Sequence, residues 1–168
     1  GTDQGIYCYN PIDEQFRLLS KQFENSDVPV IITDQKKRIW FISNGLLYYY
    51  HLVNNEIKQI TRPDLYITAV SCTKNGTIFF GTPEGKIFQL NNADKPVLLL
   101  DFQLKYGAKD WFSIEKITEN RKGELLIGTS KSGVYVYDLQ AATLKSMLGP
   151  DRLKQFLYVR DILQPNDT

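Results

Sequence analysis

One string of residues recurs along the chain. It appears as RIWFISNGLLYYYH (38–51), TIFFGTPEGKIFQL (77–90) and ELLIGTSKSGVYVYD (124–138), and the opening GTDQGIYCYN is the same string without its leading half. Each copy places two apolar bursts around a short polar loop, as in two strands joined by a turn. Gly1, Ile42, Gly81 and Gly128 occupy equivalent positions, 41, 39 and 47 residues apart. A period of this length containing only strand signals predicts an all-β chain, a β-propeller fragment of about four blades, each a four-stranded antiparallel sheet.

Further segments complete the unit. Upstream of each hairpin lie VPVIITDQKK, ITAVSCTKNG and IEKITENRKG, and VRDILQPNDT ends the chain. Downstream lie EQFRLLSKQ, EIKQITRP, KPVLLLDFQ and TLKSMLGP. The unit therefore reads as inner strand, hairpin of two strands and variable outer strand. Asn75-Gly76 and Lys122-Gly123 supply the positive φ of the first turn; Lys36-Lys37 has no glycine there, which predicts a turn of another geometry. The expected organisation is the outer part of a blade at 1–22, blades at 28–62, 67–104 and 112–148, and the inner strand of a next blade at 157–168. Such a frame leaves strand edges unpaired, so either self-association or an incomplete fourth blade made from both ends is expected. DRLKQFLYVR (151–160) allows a short helical turn.

Composition narrows the function classes. Twenty Lys+Arg against nineteen Asp+Glu leave a net charge of +1, which favours neither nucleic acid nor an anionic membrane. The KKR run (36–38) reads as a solvated hairpin tip. No apolar run reaches the roughly 18–20 residues of a membrane-spanning helix. Cys8 and Cys72 match no metal or redox spacing and read as half-buried strand cysteines. His51, the one histidine, excludes a multi-histidine metal site and reads as a strand-end side chain. Asn75-Gly76-Thr77 fits a glycosylation acceptor, but turn chemistry accounts for it. No cofactor and no catalytic residue is expected, although Asp110 with Glu115, or Glu115 with Asp161, are carboxylate pairs to weigh for acid-base work.

The copies LLIGTSKSGVYVYD and IFFGTPEGKIFQL resemble the two-component regulator propeller repeat. Trp40, Gly128, Thr129, Gly133, Tyr135, Tyr137 and Asp138 fall on its pattern; Ile42-Ser43 and Gln89-Leu90 depart from it. The resemblance implies the periplasmic sensor region of a hybrid histidine kinase and response regulator, one that recognises an oligosaccharide or other small ligand and controls transcription of glycan-use genes. It also implies a non-enzymatic segment packed against further blades, in a parent that is a homodimer and a kinase. A protein-interaction scaffold and, more distantly, a propeller polysaccharide lyase or glycosidase are the rival readings.

Physical reasons support the motif beside the resemblance. A glycine at the loop admits positive φ and close approach of neighbouring blades, and the threonine hydroxyl satisfies a backbone group. Trp40, Phe79, Phe80, Tyr135 and Tyr137 are expected between sheets. Aligned inner strands put Pro29, Thr68, Glu115 and Arg160 in one column and Val30, Ala69, Lys116 and Asp161 in the next. An ion pair is expected in at least one of Glu115–Arg160 and Lys116–Asp161. The longest loop, QLKYGAKDWF (103–112), explains the 47-residue spacing and offers Tyr106, Lys109, Asp110 and Trp111 for a sugar to stack on and bond to. With Tyr66, Tyr158, Glu115 and Arg160 these are the candidate ligand-binding residues; Asn25 and Asp27 occupy equivalent rim loops.

Overall fold

The computed structural model describes residues 1–106, 113–148 and 158–163. The chain divides into two compact units, Gly1–Leu65 and Tyr66–Thr168. In the first, β1 (Tyr7–Asn10) and β2 (Gln15–Leu18) form a two-stranded ribbon. A four-stranded sheet follows, with β3 (Val30–Thr33), β4 (Arg38–Ser43), β5 (Leu46–His51) and β6 (Glu56–Gln59) paired in sequence order. The period-two pattern explains how ribbon and sheet join. Phe41 and its cross-strand partner Tyr48 turn to one face and pack with Ile6, Phe23 and Val28. Phe23 meets Phe41 and Tyr48 edge-on, with ring centroids 4.9 and 5.1 Å apart.

The second unit holds two such sheets. One comprises β7 (Ala69–Cys72), β8 (Ile78–Gly81), β9 (Lys86–Leu90) and β10 (Pro96–Asp101). The other comprises β11 (Ile114–Glu119), β12 (Leu125–Thr129), β13 (Val134–Asp138) and β14 (Thr143–Ser146). Ala69, Phe79 and Ile87 pack against Ile117, Leu125, Ile127, Tyr135 and Tyr137 in one apolar layer. Trp40, Phe79, Phe80, Tyr135 and Tyr137 are all buried, as the alternation requires.

The Gly-Thr motif joins successive elements within each unit. A Cβ built at Gly128 would lie 2.7 Å from Val159 Cγ1, and one at Gly81 would fall still closer to Ile114. Beside these bare backbones, the carbonyls of Thr2, Thr82 and Thr129 accept hydrogen bonds from the N–H of Val28 (2.9 Å), Ile114 (3.1 Å) and Val159 (3.0 Å). Glycine is needed here for space. The threonine hydroxyl closes the second turn: Thr129 Oγ1 donates to the Gly133 carbonyl and accepts from Ser132 N, both at 3.0 Å. Thr2 repeats this with Gly5 and Gln4.

Several expectations need correction. Lys37 adopts φ +59, the left-handed conformation that Gly76 and Gly123 take in the equivalent turns, so the Lys36-Lys37 turn has the same geometry despite lacking glycine. Asp34 holds it, accepting from the N–H groups of Lys36 and Arg38 through Oδ1. Arg38 is not solvated; only Lys36 and Lys37 of that run are exposed. Its Nε donates to Asp34 Oδ2 at 2.6 Å, while its guanidinium carbon lies 4.7 Å from the Trp40 ring centroid and 4.9 Å from that of Tyr49. Cys72 is half-buried as expected, whereas Cys8 is exposed. The first part of the 103–112 loop is helical, α1 (Phe102–Tyr106), capped by Asp101 Oδ1, which accepts from Gln103 N and Leu104 N. The helical turn considered at 151–160 lies outside the described residues up to 157, and 158–160 carry no regular structure.

Candidate ligand-binding site

Two of the candidate residues of the second unit, Glu115 and Tyr158, meet at the start of β11. Ile114 and Lys116 pair with Thr129 and Gly128, leaving Glu115 as the extra residue of a β-bulge. The bulge takes Glu115 out of the ladder's regular alternation. Its Oε2 accepts a hydrogen bond from the Tyr158 hydroxyl at 3.1 Å. Next to Glu115 on β11, Lys116 Nζ lies 2.7 Å from Oδ1 of Asp161, three residues beyond Tyr158. The expected ion pair is therefore present in the second couple. In the first, Glu115 takes a tyrosine hydroxyl as its partner.

The backbone beneath these side chains is tied down. Ser113 N donates to Ser130 Oγ and Ser130 N to the Ser113 carbonyl, which anchors the start of β11 to the β12–β13 turn. Val159 N–H bonds to Thr129, fixing the segment that carries Tyr158, Arg160 and Asp161. Thr68 Oγ1 donates to the Ile114 carbonyl at 2.6 Å, so the strand that follows Tyr66 reaches the residue before Glu115. Tyr66 and Tyr158 remain more than half exposed and Arg160 is exposed. Glu115 and Tyr158 thus offer a carboxylate and an aromatic face on a bonded frame, groups suited to a polyhydroxylated ligand.

The Asp161 carboxyl sits below the usual carboxylate range, chiefly because Lys116 donates a hydrogen bond to it, with help from Ile162 N–H and the Lys116 charge. The two side chains carry opposite charges, and each offsets the other.

Tyr106 ends α1; Lys109, Asp110 and Trp111 lie outside the described residues. The root of their loop is firm, because Phe102 is fully buried in the inter-sheet layer and meets Tyr135 edge-on at 5.1 Å. The sequence signal for this anchor is the Asp immediately before Phe-Gln-Leu-Lys, an N-cap residue. Asn25 and Asp27 belong to the first unit and are exposed. His51 ends β5 and accepts from Val53 N through Nδ1. Among the described residues no group of three or more His, Cys, Asp or Glu is arranged to hold a metal ion, and no helix is long and apolar enough to cross a membrane.

No known protein family matches the chain by sequence, and no curated protein matches it. Solved structures do. The extracellular domain of the hybrid two component system BT4673 from B. thetaiotaomicron superposes with a TM-score of 0.73 at 18% identity, over 94% of this chain and 20% of that one. The corresponding domain of BT3049 from the same organism gives 0.69 at 18% identity, over 86% of this chain and 20% of its own. Virginiamycin B lyase from Staphylococcus aureus gives 0.66 at 16% identity, over 91% of this chain and 51% of the lyase. The chain thus spans about a fifth of each of those two extracellular domains. At these identities the likeness establishes the fold alone, that of β-propeller blades.

Proposed function

We propose that this chain is a ligand-sensing, extracytoplasmic propeller segment of a hybrid two-component sensor, and that its ligand is an oligosaccharide. The observation that carries the reading is the match, along nearly the whole chain, to extracellular domains of hybrid two component systems. The rim cluster supplies the chemistry. The flat C–H face of a sugar ring stacks on Tyr66 or Tyr158, while Glu115 and Arg160 bond its hydroxyls. Further contacts are assigned to Tyr106, Lys109, Asp110 and Trp111 of the 103–112 loop. Ligand binding biases the arrangement of the segment and its neighbouring blades, and a homodimeric parent transmits the bias across the inner membrane to a kinase that regulates glycan-use genes.

A glycan-array screen of the intact ectodomain tests this reading directly. One class of oligosaccharide should bind, and Trp111→Ala or Tyr158→Ala should weaken it at least about tenfold, or ~1.4 kcal/mol, with an unchanged far-ultraviolet circular dichroism spectrum. Unaltered affinity in both variants removes the rim from the mechanism, and absence of any glycan ligand favours an interaction scaffold. The lyase likeness supports a second, enzymatic reading. Turnover of a bound sugar would establish it in place of sensing.

A further inference from the structure

The turns β1–β2, β5–β6 and β13–β14 share one design. Asn10 pairs with Gln15, His51 with Glu56 and Asp138 with Thr143, so residues 11–14, 52–55 and 139–142 form the turns. The last residue of each is left-handed, with Glu14, Asn55 and Ala142 at φ +53, +58 and +51. The side chain before each turn accepts a hydrogen bond from the backbone amide two residues on. Asn10 Oδ1 takes Ile12 N at 3.1 Å, and Asp138 Oδ1 takes Gln140 N at 2.8 Å. In β5–β6 the acceptor is an imidazole: His51 Nδ1 takes Val53 N at 3.3 Å. The shorter β9–β10 turn again uses an amide oxygen, Asn91 Oδ1 accepting from Ala93 N at 2.9 Å.

These acceptors respond differently to protons. The amide oxygens of Asn10 and Asn91 do not titrate. The Asp138 carboxyl lies below the usual carboxylate range, because the Ala141 and Gln140 N–H groups bond to it, and it keeps its acceptor near neutrality. An imidazole accepts at Nδ1 only while neutral; once protonated, both ring nitrogens donate. His51 and Val53 N would then turn two N–H groups on each other. The charged groups around His51 offer another partner. Its cross-strand neighbours are Arg38 on β4 and Glu56 on β6. Arg38 is bonded to Asp34, which offsets its charge, and lies over the Trp40 and Tyr49 rings. Lys58, the next cation on β6, lies over Tyr49, and Lys37 receives Leu52 N at its carbonyl. The exposed Glu56 carboxylate, to which Asn54 Nδ2 donates at 3.2 Å, is the anion within cross-strand reach.

We infer that His51 is a proton-operated latch on the β5–β6 turn: neutral, it caps Val53 N; protonated, it releases that amide and turns to Glu56. The turn carries Leu52 and Val53, exposed at 51% and 68%. Its backbone keeps two other bonds, from Leu52 N to the Lys37 carbonyl at 3.0 Å and from Asn55 N to the His51 carbonyl at 2.9 Å. Loss of the cap therefore loosens an apolar tip without unfolding the sheet. The response is confined to this turn, because the equivalent caps are oxygens that stay acceptors across neutral pH.

The test follows the 168-residue chain by two-dimensional NMR between about pH 8 and pH 5. The Val53 amide resonance should move with the same midpoint as the His51 ring protons. Its hydrogen exchange, corrected for the intrinsic rate at each pH, should quicken about three- to tenfold on protonation, while Ile12, Ala93 and Gln140 hold steady. His51→Asn supplies an oxygen acceptor that does not titrate, so the Val53 response should vanish and the rest of the spectrum stay in place. His51→Ala should leave Val53 exchanging at the fast rate at every pH. A Val53 amide that ignores protonation of His51, or one that still titrates in His51→Asn, overturns the proposal.

Discussion

Sheets β3–β6 and β11–β14 have the same strand order and comparable registers, yet their turns are held by opposite chemistries. In the first, Asp34 accepts from the backbone of Lys36 and Arg38 through Oδ1, and from Arg38 Nε and Trp40 Nε1 through Oδ2. The carboxylate and guanidinium are almost fully buried, at 1% and 9% exposure. In the second, Asn120 takes the equivalent position. Its Oδ1 accepts from Lys122 N and Glu124 N, and its Nδ2 donates to Glu124 Oε2. The roles are inverted: an acid receiving from a base has become an amide donating to an acid. The second turns differ as well. Asn44 and Gly45, both at positive φ, close β4–β5, whereas the Thr129 hydroxyl closes β12–β13. A propeller hairpin therefore requires its turn bonds to be satisfied, by whichever side chains can do so. The Gly-Thr pair answers a different demand, the close approach of the next strand.

The largest expected effect comes from breaking the buried pair. Asp34→Ala removes the carboxylate that the Arg38 guanidinium and the Trp40 indole N–H donate to, and should cost about 3–5 kcal/mol in chemical denaturation. Asn120→Ala should cost less, about 1–3 kcal/mol, because it removes two backbone bonds and one bond to the Glu124 carboxylate but leaves no buried charge behind. Equal losses would show that the two turns do the same work.

Acid should separate the sheets further. Burial pulls the Asp34 pKa upward, but the hydrogen bonds from Trp40, the Arg38 backbone and the Arg38 side chain, together with its charge, outweigh that and leave it below the ordinary value of 3.8. A depressed folded-state pKa stabilises fully above the unfolded value, and the stabilisation is lost as the pH falls through the folded one. Amide exchange in residues 30–59 should therefore quicken below about pH 4 through Asp34, and Asp34→Asn should flatten that dependence. An unchanged profile would remove Asp34 as the acid-labile group.

A smaller loss is expected at the close approach. Gly128→Ala pushes a methyl group into Val159 and should cost about 1–3 kcal/mol; a second change, Val159→Ala, should recover part of it in a double-mutant cycle. Additive effects would place the cost elsewhere than in that contact. The smallest effect is a gain. Ala142, which holds φ +51 in the β13–β14 turn, is a non-glycine residue in the left-handed region. Ala142→Gly relieves that conformation but loosens the unfolded chain, so the net gain should stay below about 1 kcal/mol, read as a small rise in Tm.

The repeat made the strand order legible before any coordinates, because side chains alternate with period two and each sheet must bury both faces. Burial of Trp40, Phe79, Phe80, Tyr135 and Tyr137 followed from the same periodicity. The Lys116–Asp161 pair was legible too, because aligned strands put opposite charges in one column. Arg38 escaped this reasoning: beside Lys36 and Lys37 it looks like part of a charged tip, and nothing local reveals that Asp34 and two aromatic rings will enclose it. The short helix α1 escaped through the opposite bias, a loop being inferred from the excess length of one repeat.

What the sequence determined by itself is the unit: four copies, strand polarity, the alternating faces and the bare glycine backbones, all set by local spacing and by the conformations each residue tolerates. Tertiary structure decided which polar groups meet. The Glu115 bulge, its bond to Tyr158, the enclosure of Arg38 by Asp34 and Trp40, and the left-handed Lys37 arise where segments far apart in sequence or bonded across a turn must satisfy one another. That requirement depends on three-dimensional neighbours, which a pattern along one dimension does not encode.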